Sequence, residues 1–288
     1  QGIVWGDVDP MVLELARRNN VKVMPLLVNR PFDKDRLHVL LSTPAARERA
    51  IAAMAELSKR NNYWGFQIDF ENVSIDDRDA LTQFYRDAAN ALHRAGKIIS
   101  IAVVHRPDEV AGVSQYQGWM MADWRGGYDL KALADAGDFV TTMTYSQHTR
   151  RTPPGPSASL PWTQDVVAYF LRFMPPEKLS LGISTGAMHW YTSQEDRITP
   201  ELARSYADNM SYDWARHVAE RNHASWVWDD RQKMTYTYYP VAGTFEYIFL
   251  EDARSFAAKL ELMKQNRLRG FSVWVLGPED PKVWDLLK

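Results

Sequence analysis

The sequence contains no cysteine, which excludes disulfides, thiol nucleophiles and cysteine-ligated zinc while leaving the redox compartment open. No apolar run approaches the ~18 residues that a membrane-spanning helix needs. An excess of one charge sign is also lacking. The 34 basic and 36 acidic residues leave a formal net charge of −2, and no long basic run is present to grip nucleic acid or an acidic membrane surface. Neither a G-x-G-x-x-G nor a P-loop pattern occurs, and His189, His217 and His223 show no metal-ligand spacing, so no cofactor and no metal are expected. Aromatic residues, by contrast, are plentiful: 11 Trp, 13 Tyr and 11 Phe in 288 residues. Flat aromatic faces suit sugar rings, although most aromatics in any protein serve as core.

The stretch 63–73 organises the rest. From Phe66 to Glu71 apolar and polar residues alternate, which predicts a strand of period 2 rather than a helix of period 3.6. Gln67, Asp69 and Glu71 then share one face, and Phe66, Ile68 and Phe70 the other. Two carboxylates two residues apart on a strand must couple in their ionisation, so one of them holds its proton to higher pH than a free side chain would. That is a way to keep an acid ready near neutral pH. The competing reading is an ordinary half-exposed edge strand.

Along the chain, strand and helix alternate. Asp9-Pro10 starts a helix, and 21–28 reads as a buried strand. A polar loop follows, then a helix from Thr43-Pro44 to residue 59, the central strand, and a helix over 76–95 capped by Gly96. Residues 98–104 are strand, 115–127 a loop rich in Gly and Trp, and 139–145 a strand rich in β-branched residues. Residues 150–161 form a proline-rich loop, 162–173 a helix and 179–184 a strand. The rhythm breaks after Trp190, where a helix over 212–221 and segments at 225–228, 234–239 and 245–250 predict an antiparallel meander. It resumes with a helix to residue 265 and a last strand over 270–276. This alternation is the signature of a parallel sheet wrapped by helices. Six parallel-type strands are expected, whereas a (β/α)8 barrel needs eight.

These residues resemble glycoside hydrolase family 18, the chitinase and peptidoglycan-hydrolase family, and more closely its bacterial branch of spore-cortex-lytic and YaaH-like enzymes. The family's strand motif DGxDxDxE corresponds to Trp64-Gly65-Phe66-Gln67-Ile68-Asp69-Phe70-Glu71. Its MxYD motif corresponds to Met143-Thr144-Tyr145-Ser146, and its closing strand to 270–277 with Trp274. Three motifs in the right order, at the ends of separate strands, make the likeness specific, and it spans the whole chain. Two of the strand motif's aspartates are replaced, by Trp64 and Gln67, and the aspartate ending MxYD by Ser146.

The resemblance implies a TIM (β/α)8-type barrel whose first two strands are absent from this chain. It makes 1–288 a single catalytic domain with a small α+β insertion, 190–250, before the last strand. It implies retaining hydrolysis of β-1,4 linkages in a polysaccharide containing N-acetylglucosamine, chitin or peptidoglycan, with the substrate's own acetamide as nucleophile. Glu71 would be the acid, Asp69 would orient the acetamide, Tyr145 would bind its oxygen and Trp274 would floor the sugar pocket. Gln67, Met143, Gln147, Asn29, Trp190 and Asp252 complete the expected substrate-binding set. A monomer, secreted or in the cell envelope, is what the resemblance suggests. The alternatives are a lectin-like family member that binds sugar without turnover, because Gln67 breaks the family's relay of carboxylates, and an inert fragment.

Overall fold

The structure is a computed structural model that describes residues 2–6, 8–191 and 206–288. The early part of the expected insertion, 192–205, lies outside the described residues. The chain divides into two compact units. The first comprises 1–142 and 170–180, and the second 143–169 and 181–288.

In the first unit, strands β1 (Leu26–Val28), β2 (Gly65–Asp69), β3 (Ile98–Val104) and β4 (Phe139–Met143) lie in that order. The β1/β2 and β2/β3 pairs are parallel, with Leu26 opposite Gln67 and Gln67 opposite Ser100. Helices α3 (Pro44–Arg60), α4 (Arg78–Arg94) and α6 (Leu130–Ala136) precede β2, β3 and β4, and α7 (Leu160–Phe170) follows β4. The two faces of β2 follow the alternation read from the sequence. Phe66, Ile68 and Phe70 are buried, and Phe70 packs on Phe84 of α4 with ring centroids 5.7 Å apart. Each such side chain contributes roughly 1.5–3 kcal/mol by leaving water. On the other face, the Gln67 Nε2 donates to Thr141 Oγ1 of β4 at 3.1 Å. Strands lie about 4.8 Å apart, so a side-chain bond from β2 to β4 over the intervening β3 requires the sheet to curl toward that face. Gly65 admits no side chain, since a Cβ there would meet the Ile98 carbonyl.

Several expectations change. Residues 21–28 form an edge rather than a buried strand: only Leu26–Val28 is regular, and Val21 is 60% exposed. The expected loops hide two helices, α2 (Lys34–Ser42), capped by Asp33, and α5 (Gln115–Met120), opened by the Ser114/Gln117 capping box. Helix α1 (Pro10–Arg18) forms with Asp9 as its cap, but it buries no residue.

In the second unit, β5 (Leu179–Ser184) neighbours β11 (Gly270–Trp274). The antiparallel meander is larger than predicted. Its five strands run in the order β7 (Tyr206–Met210), β6 (Gly186–Tyr191), β10 (Thr244–Glu251), β9 (Met234–Val241) and β8 (Val227–Asp229). One sheet face carries Ala187, Tyr239, Ile248 and Leu250 into a core with Ala215 and Val218 of α8 (Tyr212–Arg221). Helix α9 (Ala253–Gln265) follows, starting at Asp252. Strand β1 has a neighbour on one side only, as has β11, and no closed ring of strands forms among the described residues.

Candidate active site

The first unit assembles Gln67, Asp69 and Glu71 at the carboxyl end of β2, the end at which α/β folds place their chemistry. Asp69, the last strand residue, is 8% exposed, and its Oδ1 is buried with no hydrogen-bond partner among the described residues. Burial pushes its pKa up, and the positive charge of Arg30 pulls the other way. Glu71 lies two residues beyond, half-buried. Burial first, and the neighbouring Asp69 charge second, push its carboxyl up to about 7. Near neutral pH, Glu71 therefore holds its proton in half the molecules or more as the pH falls, whereas an ordinary glutamate would have lost it.

The backbone that carries Glu71 is gripped from three sides. Asn29, just after β1, accepts from the Glu71 N–H at 2.9 Å and donates through Nδ2 to the Glu71 carbonyl at 2.8 Å. Buried Tyr128 donates to the Phe70 carbonyl at 2.6 Å. Asn72, at φ 55°, donates to the Phe32 carbonyl at 2.8 Å. Asn29, expected among the substrate-binding residues, thus spends its amide on the chain. Tyr128 was not legible as a site residue, because only its position after Gly126-Gly127 marks it.

In the second unit, Tyr145 follows β4 and shares with Trp274 a cavity of about 120 Å³, also lined by Ser184, Asn209, Phe249 and Glu251. Trp274 is 48% exposed. Its carbonyl accepts from Thr185 N–H at 2.9 Å, and Thr185 Oγ1 accepts from Val275 N–H at 3.2 Å, which fixes the end of β11. Met143 ends β4 and is buried.

Besides Asn29, three expected substrate-binding residues have other work. Trp190 is fully buried and packs edge-on against Phe249, so it is core rather than a sugar platform. Asp252 caps α9: its Oδ1 accepts from the Arg254 and Ser255 N–H groups, and its Oδ2 accepts from Thr235 at 2.6 Å. Gln147 accepts from the Ser159 N–H at 2.8 Å and holds the loop after Tyr145. No cluster of three metal-ligating side chains occurs among the described residues, and no described helix is long and apolar enough to cross a membrane.

A parallel α/β sheet with neighbouring carboxylates at its carboxyl end is the layout of an α/β enzyme whose chemistry sits at the strand ends. The chain belongs to glycosyl hydrolases family 18, whose model matches residues 8–279. It is 30% identical over 277 residues to the cortical fragment-lytic enzyme of Bacillus subtilis, covering 96% of this chain and 61% of that protein. The chain thus spans about three-fifths of that relative's length. Among solved structures it is similar to the Bacillus megaterium spore cortex-lytic enzyme SleL, with a TM-score of 0.84 and 22% identity, covering 99% of this chain and 63% of that one. A chitinase from Chromobacterium violaceum gives a TM-score of 0.84 at 23% identity, covering 99% and 85%. The fold is that of the family's TIM-barrel, chitinase-like members.

Proposed function

We propose that the chain is a glycosidase that cuts β-1,4 linkages in a glycan containing N-acetylglucosamine, with retention of configuration. The observation that carries the reading is Glu71: a half-buried carboxyl beside Asp69, held up to about 7 and so protonated at a pH where an exposed glutamate is not. Most glycosidases need a second carboxylate as nucleophile, and substrate-assisted families are the exception. In this reading the acetamide carbonyl oxygen attacks the anomeric carbon, the glycosidic C–O bond breaks, and the Glu71 proton passes to the leaving oxygen. Asp69, whose Oδ1 has no hydrogen-bond partner among the described residues, is assigned to the acetamide N–H and stabilises the resulting oxazolinium. Glu71, now a carboxylate, takes a proton from water as that water attacks the anomeric carbon; the bond from that carbon to the acetamide oxygen breaks, the acetamide is regenerated, and the site returns to its starting state.

Tyr145 is assigned to the acetamide oxygen and Trp274 to the sugar face; both line the second unit's cavity. The relatives' names point to two substrates, spore-cortex glycan and chitin, and both contain the acetamide sugar. One observation favours a second reading, a binding protein of low turnover: Gln67 gives Asp69 a neutral neighbour, engaged with Thr141, in place of the family's carboxylate. Mass spectrometry of products from chitohexaose and from purified peptidoglycan, with the native chain and with Glu71→Gln, tests both. Hydrolysis by the native chain alone supports the proposal. Equal hydrolysis by both proteins overturns the role of Glu71, and binding without products supports the second reading.

A further inference from the structure

The parallel ladder between β1 and β2 stops at the Val28/Asp69 pair, two residues before the carboxyl group that matters. Past that point nothing in strand geometry fixes Glu71. Asn29 supplies what the ladder no longer does. Its side-chain amide presents one acceptor and one donor, as a peptide group would, and pairs with both the N–H and the C=O of Glu71. The neighbouring bonds repeat the pattern on either side. Tyr128 takes the Phe70 carbonyl, and Asn72, in the left-handed region at φ 55°, ties to Phe32, itself at φ 64°. Phe70 and Glu71 are thus held by side chains from two separate places in the first unit, and the next residue, Asn72, anchors itself through its own amide. An ordinary loop would leave these groups to water.

We propose that Asn29 and Tyr128 are positioning residues that lock the Glu71 backbone in place, with the Asn29 amide acting as a surrogate strand rung. The inference rests on the reading of Glu71 as the acid. Tyr128 is fully buried and lies near enough for the Glu71 and Asp69 charges to act on its phenol. Its hydroxyl pins the chain one residue before Glu71. A general acid displaced by an ångström loses about 10²-fold in rate, so the latch is expected to act on turnover more than on substrate affinity.

The test uses Asn29→Ala, Tyr128→Phe and Glu71→Gln in the full chain, with steady-state kinetics on chitohexaose or peptidoglycan and ¹³C-carboxyl NMR titration of glutamate-labelled protein. The Glu71 signal is identified by its loss in Glu71→Gln. Asn29→Ala is expected to lower kcat by about 10- to 100-fold with KM changed less than about threefold. It should also move the Glu71 titration down from about 7 toward the ordinary glutamate value, because a freed backbone lets the carboxyl reach water. Tyr128→Phe keeps the ring that fills the core, so it folds even if Asn29→Ala does not, and should shift both readouts in the same direction by less. A purely structural role would lower the melting temperature and leave the titration where it was. Folded variants with an unchanged kcat and an unchanged Glu71 titration overturn the proposal while Glu71 as acid stands. If Glu71→Gln itself keeps full activity, it is the acid assignment that falls.

Discussion

Two glutamates shielded from water, Glu251 buried and Glu71 half-buried, stand at or just past the carboxyl ends of strands, and their surroundings give them opposite employment. Glu251 ends β10 and is 6% exposed. Lys259 donates to both its oxygens, at 2.8 and 2.7 Å, and Ser255 adds a third bond at 2.7 Å. Burial pushes its pKa up, and the ammonium opposes that push. Glu71, less deeply buried, has no ion pair among the described residues. Its nearest charged influence is Asp69, which adds to the effect of burial instead of opposing it. Burial alone therefore does not make a reactive carboxyl. The sign of the neighbour decides whether the group serves as an anchor or holds a transferable proton.

The comparison can be broken most directly by removing each group's distinguishing feature. Glu71→Gln keeps the shape and removes the proton, and a loss of 10²- to 10⁴-fold in kcat is expected for a general acid, measured on whichever glycan the native chain cuts. Lys259→Met strands a buried carboxylate and should cost about 3–5 kcal/mol of stability, read by urea unfolding. Glu251→Gln combined with Lys259→Met should recover most of that loss, because no charge is left unpaired. Trp274→Ala removes an exposed stacking face and should raise KM by about 3- to 10-fold with kcat little changed. The smallest effect is on stability at alkaline pH. Because the folded pKa of Glu71 is raised above its unfolded value, the proton it retains favours the fold at low pH. That contribution is complete below the unfolded value and is lost as pH rises from about 4.5 through about 7. Glu71→Gln should therefore be more stable to unfolding than the native chain at pH 8, by on the order of 1 kcal/mol after discounting for partial exposure, and match it at pH 4.

Much of this was legible in the sequence. Strict alternation over Phe66–Glu71 placed both carboxylates on one face, and Asp9-Pro10 and Gly96 marked helix ends where the structure has them. Helix α5 was also written, in Ser114 and Gln117, but its short glycine- and tryptophan-containing run read as a loop. Strand β1 misled because apolar content does not distinguish a central strand from an edge, and Val21 is exposed. Trp190 and Asp252 misled for a related reason. An aromatic or an acid beside a motif looks the same in sequence whether it faces a ligand, a core or a helix terminus. The Asn29 latch was hidden because it joins residues 42 apart through backbone atoms, which leave no pattern in side-chain chemistry.

The pH dependence of kcat/KM tests the central claim most directly. The native chain is predicted to lose activity with a midpoint near pH 7 as Glu71 gives up its proton, and Glu71→Gln to show no such limb because its activity is gone. A rate that holds level to pH 8.5, or the same limb persisting in Glu71→Gln, would contradict the assignment of Glu71 as the acid.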